Sequence, residues 1–123
     1  MKKRLVAVLC CGVMVMSMPV CANADEAVEG TKQIAYLTPG LDLPFWRYLA
    51  NGIENEVIDS EMDATVQVYD SKNSSETQLQ NAQDAISKGA DLIIISPTDS
   101  SSCPAVLSLA EEAEIPVVIA DIG

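Results

Sequence analysis

Apolar residues along the chain follow two rhythms. Ile34 to Thr38, Leu92 to Ile95 and Val117 to Ala120 are near-continuous aliphatic runs, and Thr65 to Tyr69 alternates with β-branched residues. Four strands are therefore expected. Between the first two, Trp46, Leu49, Ala50, Ile53, Val57 and Ile58 recur at three- and four-residue steps. This predicts a helix to about Asp59, with Pro44 in its first turn and Asp42 or Leu43 at the N-cap. Leu79, Ala82 and Ile86 mark a second helix, with Ser75 and Gln78 spaced as a capping box and Gly89 just past its end. Val106, Leu107, Ala110 and Ala113 mark a third, opened by Pro104 and stopped by Pro116.

The order β-α-β-α-β-α-β predicts an α/β fold, a doubly wound parallel sheet of the Rossmann-like kind with helices on both faces. Because Leu92-Ile93-Ile94-Ile95 does not alternate, it is expected at the centre of the sheet, covered on both sides. Val117 to Ala120 is expected as a fourth buried strand. The chain stops at Gly123, directly after that strand, and on this reading residues 32–123 are an incomplete, truncated lobe.

The first residues do not belong to this pattern. Lys2-Lys3-Arg4, the apolar run Leu5 to Val20 and the small-residue site Ala22-Asn23-Ala24 read as a secretory signal peptide over residues 1–24. Ser17 and Pro19 interrupt the apolar run, which disfavours a membrane span. Cys21 follows Met18-Pro19-Val20, a poor lipoprotein box, so a soluble exported product is favoured. Residues 25–31 are acidic, contain Gly30 and lack periodicity, as a short flexible leader would.

Composition narrows the function classes. All eighteen acidic residues follow the cleavage point and three of the seven basic ones precede it, leaving a net charge of −14 on the 99 residues after Ala24. Such a surface repels phosphate backbones and anionic membranes, which argues against a nucleic-acid partner. The sequence has no His, which removes Ser-His-Asp and Cys-His catalysis and the commonest zinc ligand. No cofactor or metal site is expected, and the chain does not read as an enzyme. Cys103 is the one cysteine after the cleavage point, so no internal disulfide can form there. A thiol near a helix N-terminus could be a nucleophile, but without a base it reads as a packing residue.

The candidate site lies where the strands end. Phe45 and Trp46, the sole Phe and Trp of the sequence, sit at the corner between the first strand and its helix. In an open α/β sheet, ligands bind beyond the carboxyl ends of the strands. Asp42, Asp70, Ser96, Asp99 and Asp121 are expected at the same edge, each following a strand. Carboxylates accept hydroxyl hydrogen bonds and an aromatic face covers the apolar side of a sugar ring, so a neutral polyol fits this set. A small amine stacked on Trp46 is the competing ligand class. Each residue also has a plain structural reading. The aromatic pair can staple the helix to the sheet, and Asp42, Asp70 and Asp99 can cap helices or form turns.

Five segments in order, Leu43-Pro44-Phe45-Trp46, Asp70-Ser71-Lys72-Asn73, Gly89-Ala90-Asp91, Ile95-Ser96-Pro97-Thr98-Asp99-Ser100 and Ala113-Glu114-Ile115-Pro116-Val117-Val118, resemble the ribose-type periplasmic sugar-binding proteins. The resemblance implies the first of two Rossmann-like lobes that hold a sugar between them and deliver it to an ABC permease or a chemoreceptor. It places the stacking aromatics at Phe45 and Trp46, a hydroxyl-binding position at Ser96 and a sugar-binding carboxylate at Asp121. Three positions depart from the ribose binders: Ser96 replaces an amide, Ile122 an Arg and Leu43 an Asn. The implied ligand is therefore a sugar or similar polyol, not ribose by name.

The expected function is the substrate-binding component of an ABC-type sugar importer in the periplasm, completed by a missing C-terminal lobe. A periplasmic sensor lobe that presents ligand to a chemoreceptor or sensor kinase is the alternative. The exported product is predicted to begin at Asp25 without lipid. N-terminal sequencing and mass spectrometry check this, and a modified Cys21 at the N-terminus would refute it.

Overall fold

The computed structural model describes residues 30–121. The export signal, most of the leader and Ile122 lie outside the described residues. Seven elements follow in the expected order: β1 (Lys32–Thr38), α1 (Pro44–Asp59), β2 (Ala64–Asp70), α2 (Ser75–Ser87), β3 (Leu92–Ile95), α3 (Cys103–Glu112) and β4 (Val117–Ile119). The strands form one sheet in the order β2-β1-β3-β4. Every pair is parallel, with Leu37 opposite both Tyr69 and Ile95, and Ile95 opposite Ile119.

This order creates a switch point. The chain leaves β1 for β2 on one side, then returns across the sheet to place β3 on the other side. Connections diverge from neighbouring strands there and leave a crevice beyond their carboxyl ends. The loops after β1 and β3 flank it.

Alternation along β1 divides its side chains between two layers. Ala35 and Leu37 join Ile93 and Ile95 of β3 against Ala82 and Ala85 of α2 and Cys103, Val106 and Ala110 of α3. Ile34 and Tyr36 belong to the opposite face, and the buried residues Ala50 and Val57 come from α1. Leu37, Ile93 and Ile95 are wholly buried, and each contributes about 2 kcal/mol by leaving water.

Several local expectations are corrected. β3 shares the centre of the sheet with β1, and only Ile93 and Ile95 are buried, while Leu92 and Ile94 are partly open. β4 is an edge strand, not a buried one: Val118 is 49% and Ile119 42% exposed. Ile58 lies outside the inward stripe of α1 and is 70% exposed, being about 100° around the helix from Val57. Ala113 is exposed at the C-cap of α3. Leu43 is the N-cap of α1 and makes no side-chain cap bond. At α2 the cap is Ser74, whose side chain accepts the N–H of Thr77. Ser75 and Gln78 do not form a capping box, because Gln78 points inward and is buried. Gly89 holds the left-handed φ of 87° expected just past a helix end.

Among the described residues, Thr38 Oγ1 is the buried side-chain polar atom without a hydrogen-bond partner. A desolvated hydroxyl with no partner costs more than it returns, whereas a methyl group of similar shape needs none. Thr38→Val is predicted to keep the fold and to raise unfolding stability by about 1 kcal/mol. Urea denaturation measures this, and a loss of stability would show that the hydroxyl has a bound partner.

Candidate functional site

The loop after β1 is pinned from several directions. Its Leu41 carbonyl accepts Nε and Nη2 of Arg47 at 3.2 and 2.8 Å, and its Leu41 N–H donates to Asp70 Oδ1 at 3.3 Å. Asn73 N–H donates to the Pro39 carbonyl at 2.6 Å, and Asn73 Nδ2 reaches Asp42 Oδ1 at 3.4 Å. Lys72 and Asn73 both hold left-handed backbones, with φ of 51° and 58°. Gly40 makes this close approach possible: a Cβ there would stand 2.6 Å from Asp42 Oδ1 and 3.0 Å from the Asn73 amide. The loops after β1 and β2 therefore act as one rigid rim.

From this rim α1 rises with the aromatic pair in its first turn. The Phe45 and Trp46 rings meet edge to face, with centroids 4.8 Å apart and planes at 79°. Phe45 is 58% exposed and Trp46 is half-buried. Trp46 thus anchors one side of the helix while Phe45 remains open. An open aromatic forgoes the burial energy that its size would otherwise supply.

Ser96 is placed differently from the other candidates. It is wholly buried, its Oγ donates to the Ala120 carbonyl at 2.7 Å and it meets Tyr36 Oη at 2.9 Å. Its hydroxyl is a tie between β1, β3 and β4 in this structure, not an open group on the rim. Asp121 follows Ala120, is exposed and has a left-handed φ of 63°.

Asp99 organises the loop after β3. Its Oδ1 accepts the N–H groups of Ser101 and Ser102 at 2.7 and 3.1 Å and the Ser101 hydroxyl, while Oδ2 accepts the Ser75 hydroxyl at 2.7 Å. This joins the start of α2 to the approach of α3. Asp42, Asp70 and Asp99 are all engaged in such loop contacts, as turn residues are. Cys103 sits in the core layer, and burial pushes its thiol pKa up, the opposite of an activated nucleophile.

Three residues of the edge escaped the sequence reading. Tyr36 was legible only as a strand residue. Arg47 gives no signal beyond its place in α1. Gln78 could have been found, because it stands four residues before Ala82 and hence on the inward face of α2. The sheet's opposite edge carries a groove of 580 Å³ lined by Lys32, Ile34, Met62, Asp63, Leu92 and Pro116 among others. None of the candidate residues lines it.

The Ser101 hydroxyl, then the Ser75 hydroxyl and the two serine N–H groups, hold the Asp99 pKa down from 3.8 to about 2. A carboxyl depressed on folding contributes order that is present above its unfolded pKa and lost as the pH falls from there towards 2. Carbon-detected NMR titration of Asp99 is predicted to give a midpoint of about 2, moving towards 3.8 in Ser101→Ala. A midpoint near 3.8 in the unaltered chain would mean that this loop is not fixed as described.

Comparison with known proteins agrees with this fold. The periplasmic binding protein domain model matches residues 34–123. The ribose import binding protein of Escherichia coli (strain K12) is 31% identical over 108 residues, which cover 88% of this chain and 36% of that protein. Its counterpart in Bacillus subtilis (strain 168) is 36% identical over 100 residues, covering 81% and 32%. The chain spans about a third of the length of these relatives. Among solved structures, an ABC transporter solute binding protein from Bacillus halodurans C-125 with bound myo-inositol superposes with a TM-score of 0.66 at 27% identity, over 75% of this chain and 31% of that one. A periplasmic solute binding protein from Actinobacillus succinogenes 130z with bound D-allose gives 0.62 at 32% identity, over 74% and 32%. The chain therefore belongs to the periplasmic binding protein domain family.

Proposed function

We propose that this chain is the cleft-forming first lobe of the substrate-binding component of an ABC-type sugar importer, with a neutral sugar or polyol as its ligand. The observation that carries the reading is the Phe45–Trp46 pair, with its Phe45 ring exposed, beyond the carboxyl end of β1 and beside the switch point. An edge-to-face pair with one ring open offers a flat apolar surface to the hydrophobic side of a sugar ring. Relatives found with myo-inositol and D-allose support the ligand class. Asp121, exposed at the end of β4, supplies a carboxylate for ligand hydroxyls. Asp42 contributes through the open side of its carboxylate, and Asp99 shapes the adjoining loop. Ser96 acts from beneath, as a support. The role is binding, not catalysis. Residues 1–24 act as the export signal, the protein works in the periplasm, and the partner is an ABC permease.

In this reading residues 32–121 provide one wall of the cleft, and a second wall comes from the further length that the relatives possess. Tight affinity requires most of the ligand surface to leave water, which one wall cannot achieve. Stacking on one side and hydrogen bonds of about 1 kcal/mol net each are opposed by an association cost of at least about 4 kcal/mol. The chain after Ala24 is predicted to bind myo-inositol or D-allose no more tightly than about the millimolar range. NMR titration should show shifts confined to Asp42, Phe45, Trp46 and Asp121, abolished by Trp46→Ala or Asp121→Ala. Micromolar calorimetric binding by this chain would sink the one-wall account, and saturating shifts elsewhere would sink the site.

A further inference from the structure

Ala120 lies between β4 and Asp121, and both of its backbone polar groups are held. Its N–H donates to the Ile95 carbonyl at 2.9 Å, and its carbonyl accepts Ser96 Oγ at 2.7 Å. Ser96 has one hydroxyl proton and spends it on that carbonyl. At the 2.9 Å contact with Tyr36, the tyrosine must therefore be the donor. The result is a directed pair of hydrogen bonds, Tyr36 to Ser96 to Ala120, running from β1 beneath β3 to the end of β4. Tyr36 and Ser96 are both wholly buried, so water does not compete for these bonds.

The next residue holds an uncommon conformation. Asp121 has φ 63°, in the left-handed region that few non-glycine residues adopt and that Asp adopts more readily than most. Its side chain is exposed and packs no core. The neighbouring feature that can fix it is the clamp on Ala120, one residue earlier. Holding the Ala120 carbonyl fixes the peptide plane from which the Asp121 Cα–Cβ bond departs, so with φ at 63° the clamp sets where the Asp121 carboxylate emerges.

We propose that Tyr36 and Ser96 are positioning residues that hold the Ala120–Asp121 corner in its left-handed turn and aim the Asp121 carboxylate at the ligand edge. This rests on the reading of Asp121 as a ligand group. It assigns Ser96 a role without ligand contact and gives Tyr36 a function that its place in the core would hide. The two hydroxyls act in series: once Ser96 Oγ is removed, the Tyr36 hydroxyl no longer reaches Ala120.

The test compares the unaltered chain with Ser96→Ala, Tyr36→Phe and the double variant. Amide hydrogen exchange at Ala120 and the Asp121 amide resonance are read, with the β1 amides of Ala35 to Leu37 as internal reference. Ser96→Ala is expected to speed Ala120 exchange about tenfold and to shift the Asp121 resonance, with β1 unchanged. Tyr36→Phe should produce the same changes in smaller degree, and none further in the Ser96→Ala background. The myo-inositol-dependent shift at Asp121 should shrink in step. Unchanged Ala120 exchange, uniform acceleration across all strands, or additive effects would each overturn the positioning role. If Ser96→Ala does not fold, Tyr36→Phe alone decides, since it keeps the ring and removes only the donor. If the unaltered chain shows no myo-inositol shift at Asp121, the ligand reading fails, while exchange and resonance still decide the clamp.

Discussion

Gln78 is 1% exposed, so its amide must find partners where water does not reach. Its Nε2 donates to the Ser96 carbonyl at 2.9 Å and lies 3.5 Å from the Leu37 carbonyl, and its Oε1 accepts the Thr98 N–H at 3.0 Å. The Ser96 carbonyl and the Thr98 N–H lie beyond the last β1–β3 pair, while the Leu37 carbonyl already accepts the Ser96 N–H at 3.0 Å. A buried carbonyl or N–H without a partner costs on the order of 1–3 kcal/mol, so one amide resolves a problem that any sheet ending under a helix must meet. The consequence is positional. With Leu37, Ser96 and Thr98 tied to α2, the loop after β3 has a fixed start, and Ser96 is turned so that its hydroxyl meets Tyr36 and Ala120.

The same constraint explains how much the sequence revealed. Periodicity and apolar runs located all seven elements, because α1 and α2 each bury a face whose spacing matches their geometry and β1 is buried on both faces. Where it failed, a second influence was at work. Ile58 continues the three-and-four rhythm numerically, yet by that point the stripe has drifted and the residue faces outward. Val118 and Ile119 read as core by composition, but burial depends on what lies over a strand, and no pattern within the strand records that.

Candidate site residues were legible in position, to the extent that their position followed from topology. A charged or aromatic residue just after a strand must lie at the carboxyl edge, and Phe45, Trp46, Asp42, Asp99 and Asp121 do. What a side chain does there depends on partners that are distant in sequence. Asp99 meets Ser75, 24 residues away, and Tyr36 meets Ser96 across 60 residues. Capping-box spacing around Ser75 was a local pattern that a non-local demand overrode, since Gln78 was needed inside.

These contacts bear on which ligands the edge can accept. Asp42, Asp70 and Asp99 hold N–H and O–H donors of their own and neighbouring loops, so they stay in place without basic partners. Among the described residues, the salt bridge is Lys32 to Asp91 at 3.9 Å, at the other end of the sheet. Hydrogen bonds from neutral donors keep the carboxylate ionised without cancelling its net charge, as the depressed pKa of Asp99 illustrates. The N-termini of α1 and α3 point towards this rim and would favour an anion through their dipoles. That favourable effect is worth at most about 1 kcal/mol at an exposed helix end, and three or four full charges nearby outweigh it. A phosphorylated or carboxylated sugar would therefore meet repulsion at the rim, while a neutral ring would not. In the proposed reading the aromatic pair would add contact energy that does not depend on ligand charge, so charge would act by exclusion and the rings by attraction.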